Sequence, residues 1–343
     1  MEAAFVYARP KQFKSTGLSN NTAQCAAVLS AAGHNAVAIA LDEIVGDQNN
    51  AQAWAPWMED NQPRLVVLGA FIVPLGDLEF LARSYPDTVW VQRCHSNLAW
   101  LFQTGDMARW LDLLRNSRDV PNLHCALVSE SEAFRWQKAG VGKVFGIPNV
   151  LGTPIADHPR QMLHPDKALE LSAFFAIRLL KHPGGHVLTA SIVNQSRPAR
   201  LHMQCERTDS PKYIEHIKRL ANTFQLRMPL EPYRDHDVFL LWLAANIDIG
   251  LQLSMSESFN YVALEHLARA VPVVTSEAVD FCPWRVQYED AAAAAEMVLK
   301  LTSNAEAYRE ASEQALAAAR AVQGTNNARF VDICTSLLGG NRV

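Results

Sequence analysis

The stretch Asp248-Ile-Gly-Leu-Gln-Leu-Ser-Met-Ser-Glu257-Ser-Phe-Asn-Tyr-Val-Ala-Leu-Glu265-His-Leu-Ala-Arg-Ala-Val-Pro-Val-Val-Thr275-Ser276 decides how the chain reads. An apolar run over Ile247–Leu253 has the look of a buried strand. Ser254 to Asn260 make a polar loop. Asn260–Arg269 then carries apolar residues at helical spacing, and the β-branched run Val271–Thr275 reads as a further strand. Strand, loop, helix and strand in so short a stretch form a βαβ unit, which implies a parallel sheet covered by helices on both faces.

The same alternation extends in both directions. Ala3–Tyr7, Ala36–Leu41, Leu65–Leu68, Thr88–Gln92 and Cys125–Val128 read as strands, and Thr22–Ala32, Leu98–Thr104 and Met107–Arg115 as helices. Pro148, Pro154, Pro159 and Pro165, with Gly152 among them, mark a linker over Ile147–Asp166. Beyond it, His186–Ile192 and Leu201–Gln204 read as strands and Pro211–Thr223 as a helix. From Asp290 the chain is nearly all helical to Leu338. The fold class expected is therefore α/β, with two doubly wound, Rossmann-like domains, 1–155 and 166–320. They would face a cleft with a ligand at the carboxyl ends of the strands.

Composition narrows the function. A chain of 343 residues is natural for two domains, and 49% hydrophobic residues can fill two cores. The net charge of −4 gives no global drive toward nucleic acid, although a local basic patch stays open. Its candidate, Arg197, Arg200, Arg207, Lys212, Lys218, Arg219 and Arg227, also reads as a solvated helix face. Cys25, Cys94, Cys125, Cys205, Cys282 and Cys334 are scattered without a C-x-x-C pair, as expected of reduced thiols in a cytoplasmic protein. The N-terminus lacks the pattern of a signal peptide. The longest apolar stretch, Val238–Leu253, contains Asn246 and Asp248 and is too short to span a membrane.

The loop and helix after Leu253 carry the chemistry. Free amides at a helix start attract anions, so those around Phe259–Val262 suit a diphosphate. Glu265 would accept hydroxyls of a ribose, and Glu257 those of a sugar. The plainer alternative makes Glu257 a helix cap and Glu265 a surface charge. Asp235-His-Asp237 precedes an apolar helix, Val238–Ala245, and reads as its N-cap rather than as a metal site. His182-Pro-Gly-Gly-His186 has i,i+4 spacing, but its Pro and Gly prevent a shared helical face. No metal ligands and no cofactor are expected.

The quoted stretch resembles the Glu-x7-Glu motif of retaining glycosyltransferases of the glycosyltransferase-B fold, particularly family 4. Glu257 and Glu265 fall on the two acids, and Phe259, Leu264, Ala268 and Pro272-Val273-Val274 match as well. Ser258 and Asn260 replace two glycines, and Val262 replaces a proline. Ala173-Phe-Phe-Ala-Ile-Arg178-Leu-Leu-Lys181-His resembles the family's basic element at the start of the second domain. Gly146-Ile-Pro-Asn149 is similar to the sequence that closes its first domain. Lys14-Ser-Thr-Gly17 and Gln92-Arg-Cys-His95 resemble more weakly the first-domain loops near the reaction centre.

The resemblance implies metal-independent transfer of a sugar from a nucleotide-sugar to an unidentified hydroxyl acceptor, with retention. Arg178 and Lys181 would stabilise the departing diphosphate, with no acid nearby in the chain to pair with them. Glu265 would hold the ribose. Glu257, with Ser258, Phe259, Asn260, Tyr261 and Val262, would orient the donor. Gly17 and His95 would lie near the acceptor, and the tail 321–343 would pack back on the first domain. A DNA-base sugar transferase, a nucleotide-sugar epimerase and a donor-binding scaffold without turnover are the alternatives.

Overall fold

The computed structural model describes residues 1–9, 17–46, 50–140, 143–161, 167–204, 206 and 210–340. Two compact units divide the chain. Met1–Gly152 and Gln323–Val343 make unit 1, and Thr153–Val322 makes unit 2.

Unit 1 is built on β1 (Ala3–Tyr7), β2 (Ala36–Ala40), β3 (Leu65–Leu68), β4 (Val89–Cys94), β5 (Leu123–Leu127) and β6 (Val144–Gly146). All neighbours are parallel, in the order β2-β1-β3-β4-β5-β6. Side chains alternate across the sheet, so Ala4, Val6, Val66 and Leu68 enter one core with Trp54, Trp90 and Trp110. Ala3, Phe5, Leu65 and Val67 enter another, with Cys25, Leu29, Phe330, Ile333 and Leu337. The last three come from the C-terminal part of helix Ala305–Leu338, which fills that face of the sheet.

Unit 2 is built on β7 (Leu169–Ala173), β8 (Ala199–Gln204), β9 (Leu230–Glu231), β10 (Ile249–Gln252), β11 (Val273–Ser276) and β12 (Trp284–Val286). Its sheet is again parallel, in the order β12-β11-β10-β7-β8-β9. The chain winds outward from β7 in one direction and from β10 in the other. The strand order therefore reverses between β7 and β10, where doubly wound sheets hold their ligands.

One expected strand is a helix. His186–Ile192 lies inside helix Pro183–Ser196. Pro183 occupies the first turn, where its missing N–H costs nothing. The buried residues His186, Val187, Ala190, Ser191 and Val193 follow a helical period, whereas Leu188 is exposed. The strand of this region is β7 instead. The next crossover is tight as well. A Cβ on Gly250 in β10 would stand 2.5 Å from the His266 ring, so only glycine lets helix Tyr261–Ala268 lie so close to the strand.

Candidate functional site

The two loops that leave β7 and β10 meet at the point of strand-order reversal. After β7 the chain reaches Arg178, in extended backbone, and then a single 3-10 turn, Leu179–Lys181. After β10 it enters Ser254–Asn260. The Met255 N–H donates to the Leu180 carbonyl at 2.9 Å, which ties one loop to the other. His186 anchors both from below. Its Nε2 accepts the Leu253 N–H at 2.8 Å, so its Nδ1 carries the proton and donates to the His182 carbonyl at 2.9 Å. Burial pushes the His186 pKa down to about 3, so the ring stays neutral and its tautomer is fixed. Both ring nitrogens of His186 are thereby engaged within the chain.

Glu257 sits at the centre of this junction. Its Oε1 accepts from Lys181 Nζ at 2.5 Å, Ser254 Oγ at 2.6 Å and Asn260 Nδ2 at 3.0 Å. Its side chain is 3% exposed and that of Lys181 18%. The absence of a nearby acid in the chain therefore misleads, because the partner of Lys181 comes from another loop of the same unit. Nor does Glu257 cap the helix. Asn260 does so, with Oδ1 accepting the Ala263 N–H at 2.9 Å. Its Nδ2 also reaches Gln252 Oε1 at 3.2 Å. The asparagine that stands in place of a glycine is thus both the helix cap and a clamp on Glu257.

Glu265 lies one turn into helix Tyr261–Ala268 and is buried, not a surface charge. Its Oε1 accepts from His236 Nε2 at 2.6 Å. His236 opens helix His236–Asn246. The hydrogen bond to Glu265 raises the His236 pKa above the ordinary histidine value. Asp235 occupies the N-cap position of this helix, but its side chain makes no capping hydrogen bond, and the Asp237 side chain points into solvent. Of Asp235-His-Asp237, the histidine is the residue that pairs with Glu265. The neighbouring His266 is wholly internal. Its Nδ1 lies 2.6 Å from the Val262 carbonyl and its Nε2 2.7 Å from Ser172 Oγ, and burial lowers its pKa to about 4.

The remaining loop residues surround these groups. Phe259 packs against Tyr261 and Phe281, with ring centroids 5.0 and 5.2 Å away. Ser258 is half-buried. Val262, in the first helical turn, packs on the small core of Phe174, Leu243, Ile247 and Val271.

The other expected residues belong to unit 1. Gly17 begins helix Gly17–Ala31, and Lys14, Ser15 and Thr16 lie outside the described residues. His95 follows β4. Its Nε2 is buried without a hydrogen-bond partner, and burial holds its pKa well below the ordinary value, so the ring is neutral. Its neighbour Arg93 escaped notice in the sequence. This arginine is 2% exposed. It donates to Asn21 Oδ1 at 2.8 Å, the Ile147 carbonyl at 3.0 Å, the Pro148 carbonyl at 2.9 Å and Asn149 Oδ1 at 2.8 Å. The Ile-Pro-Asn sequence is thus a receptor for a buried guanidinium.

Other features recede. Arg197 donates to the Thr302 carbonyl at 2.8 Å and Arg200 pairs with Glu170 at 3.0 Å, so two members of the basic stretch turn inward, and Arg207 lies outside the described residues. Among the described residues, no three His, Cys, Asp or Glu side chains gather as a metal-holding group. No described helix is long and apolar enough to cross a membrane.

No family model matches the chain, and no curated protein sequence matches it. Solved structures do. Sucrose-phosphate synthase (tll1590) from Thermosynechococcus elongatus superposes with a TM-score of 0.71 at 14% identity, covering 99% of this chain and 100% of that one. Anabaena Alr3699/HepE, solved in complex with UDP and glucose, gives 0.69 at 13% identity, covering 98% and 100%. A glycosyltransferase from Rickettsia africae ESF-5 gives 0.66 at 14% identity, covering 98% and 99%. The fold is of the glycosyltransferase-B type. Within the glycosyltransferase-B fold, the reversal between β7 and β10 and the loops that leave these strands are the elements on which the candidate site of unit 2 is built.

Proposed function

We propose that the chain transfers a sugar from a nucleotide-diphosphate sugar to a hydroxyl acceptor, with retention and without a metal. One observation carries the reading. Lys181, Glu257 and the helix bearing Glu265 are brought together by the loops at the strand-order reversal of unit 2, with Arg178 one turn before Lys181. The UDP and glucose named for the Anabaena neighbour support this class of donor.

In this reading the donor diphosphate lies over the start of helix Tyr261–Ala268 and between Arg178 and Lys181, and Glu265 receives the ribose. The bond from the anomeric carbon to the diphosphate oxygen breaks, and the acceptor oxygen bonds to the same face of that carbon. The acceptor proton passes to the departing phosphate oxygen. Negative charge grows on the diphosphate as its bond breaks, so the two cations hold it more tightly in the transition state than in the ground state. Glu257 keeps Lys181 compensated until the anion arrives. Its Ser254 and Asn260 donors keep the carboxylate satisfied once Lys181 turns to phosphate. His95, a neutral ring with an unused nitrogen, and Gly17 would serve the acceptor. The described cysteines are free and buried, which fits a protein of the reducing cytoplasm.

Turnover of UDP-, ADP- and GDP-sugars, with and without candidate acceptors, tests the reading. Sugar transfer that continues in excess EDTA is the expected result. Complete loss on chelation with rescue by Mg²⁺ or Mn²⁺ would overturn metal independence. Conversion of donor to an epimer, or binding without turnover, would replace the reading altogether.

A further inference from the structure

His236 meets Glu265 in a way the transfer chemistry does not itself require. The histidine is the first residue of helix His236–Asn246, and Glu265 belongs to helix Tyr261–Ala268. Their side chains are 18% and 7% exposed, and Nε2 stands 2.6 Å from Oε1. The positive end of a helix dipole is a poor place for a cation. The helix therefore does not favour a charged His236, and Glu265 does. Around the ring, Asp237 lies 3.9 Å from Nδ1 but is fully in solvent, and Asp235 precedes it at the N-cap. Arg269, at the end of the packed helix, opposes a positive charge here, as does burial.

We propose that His236 is a positioning residue for the donor, acting through Glu265. This inference rests on the reading of Glu265 as the ribose ligand. His236 occupies one carboxylate oxygen and fixes the side chain, so that Oε2 is presented to a vicinal diol. It also sets the charge of the pair. With His236 protonated the pair is neutral, and with His236 neutral the pair carries a full negative charge close to an anionic ligand. A pKa raised in the folded chain means that protonated His236 prevails below the ordinary histidine value and is lost as pH rises through the raised value. Donor affinity should therefore be highest at the acid end and fall as pH rises. A diphosphate sugar suits the test, because each of its phosphates carries one ester and one anhydride link, leaving a single ionised oxygen whose charge is constant across this range.

The experiment is calorimetry with the tightest-binding member of a panel of UDP-, ADP- and GDP-sugars, from about pH 5.5 to about pH 8.5, which brackets ordinary histidine titration. Binding by the parent chain should weaken roughly three- to tenfold across the range, up to one pKa unit of coupling. His236→Ala should bind roughly tenfold more weakly at the acid end, where it loses both the hydrogen bond and the charge. His236→Gln can place an amide donor where Nε2 lies. It should recover part of the affinity but show a flat pH profile, an outcome that a purely structural role would not produce. If Glu265→Gln weakens binding while both His236 variants keep the parent's affinity and pH slope, the inference falls and the donor-site reading stands. If the parent chain binds no member of the panel, both fall together.

Discussion

Two cations stand at strand ends in this molecule, one in each unit, and their surroundings differ. Arg93, at the end of β4, is sealed in unit 1 and gives its hydrogen bonds to two carbonyls, two asparagine oxygens and the Cys25 sulfur, all neutral. Lys181, beyond β7 in unit 2, keeps some exposure and is paired with a carboxylate. Neutral acceptors arranged around a planar guanidinium hold it permanently, because arginine cannot shed its proton and nothing else competes for its donors. A lysine on a carboxylate is compensated but exchangeable. An anion that enters the loop can take over the ammonium while the carboxylate falls back on Ser254 and Asn260. The first arrangement is a fixed part of the fold, and the second leaves the ammonium exchangeable.

The largest expected effect is at Arg93. Its replacement by leucine strands several buried acceptors and removes the tie from β4 to Ile147–Asn149. Unit 1 should lose roughly 3–5 kcal/mol of stability, within the range of the most damaging single changes. Thermal or denaturant unfolding would check this. A variant as stable as the parent would erase the contrast with Lys181.

Glu265→Gln sharpens the contrast from the ligand side. Loss of a charged acceptor should cost roughly 1.5–3 kcal/mol of donor binding, about 10- to 150-fold in affinity, while the melting temperature changes little. Equal affinity of the two proteins by calorimetry would remove Glu265 from the donor site.

The smallest effect on the donor is expected at His95. His95→Ala should slow transfer to acceptor while donor affinity stays within about twofold, a few tenths of a kcal/mol. Because burial keeps this ring neutral, its contribution should not titrate between neutral and mildly acidic pH. Lost donor binding, or an unfolded protein, would return His95 to the scaffold alongside Arg93.

Much of this was open to reading in the chain itself, for local reasons. Ala3–Tyr7, Leu65–Leu68 and Pro211–Thr223 match the expected elements residue for residue, because apolar runs of strand length and a proline-started amphipathic helix are local signals. The stretch His186–Ile192 imitates a strand through its β-branched residues, while Pro183 before it and the sheet beneath it make it a helix. Arg178, Lys181, Glu257 and Glu265 could be picked out as candidates. Which of them touch could not. Lys181 and Glu257 are 76 residues apart, and His236 and Glu265 are 29 apart, so only the tertiary fold pairs them. Arg93 leaves no signature in the sequence because its acceptors are neutral and distant, two of them main-chain carbonyls, and none is an acid spaced to pair with it.

A double-mutant cycle on donor turnover tests directly whether Arg178 and Lys181 act together on a departing diphosphate. Arg178→Ala and Lys181→Ala should each fold normally and lose roughly 100- to 1000-fold in turnover, about 2.7–4 kcal/mol of transition-state stabilisation. The double variant should lose less than the product of the two, because both serve one charge. Turnover within about threefold of the parent in both single variants, less than 1 kcal/mol by the rate arithmetic, would show that neither cation acts on the leaving group and would contradict the account.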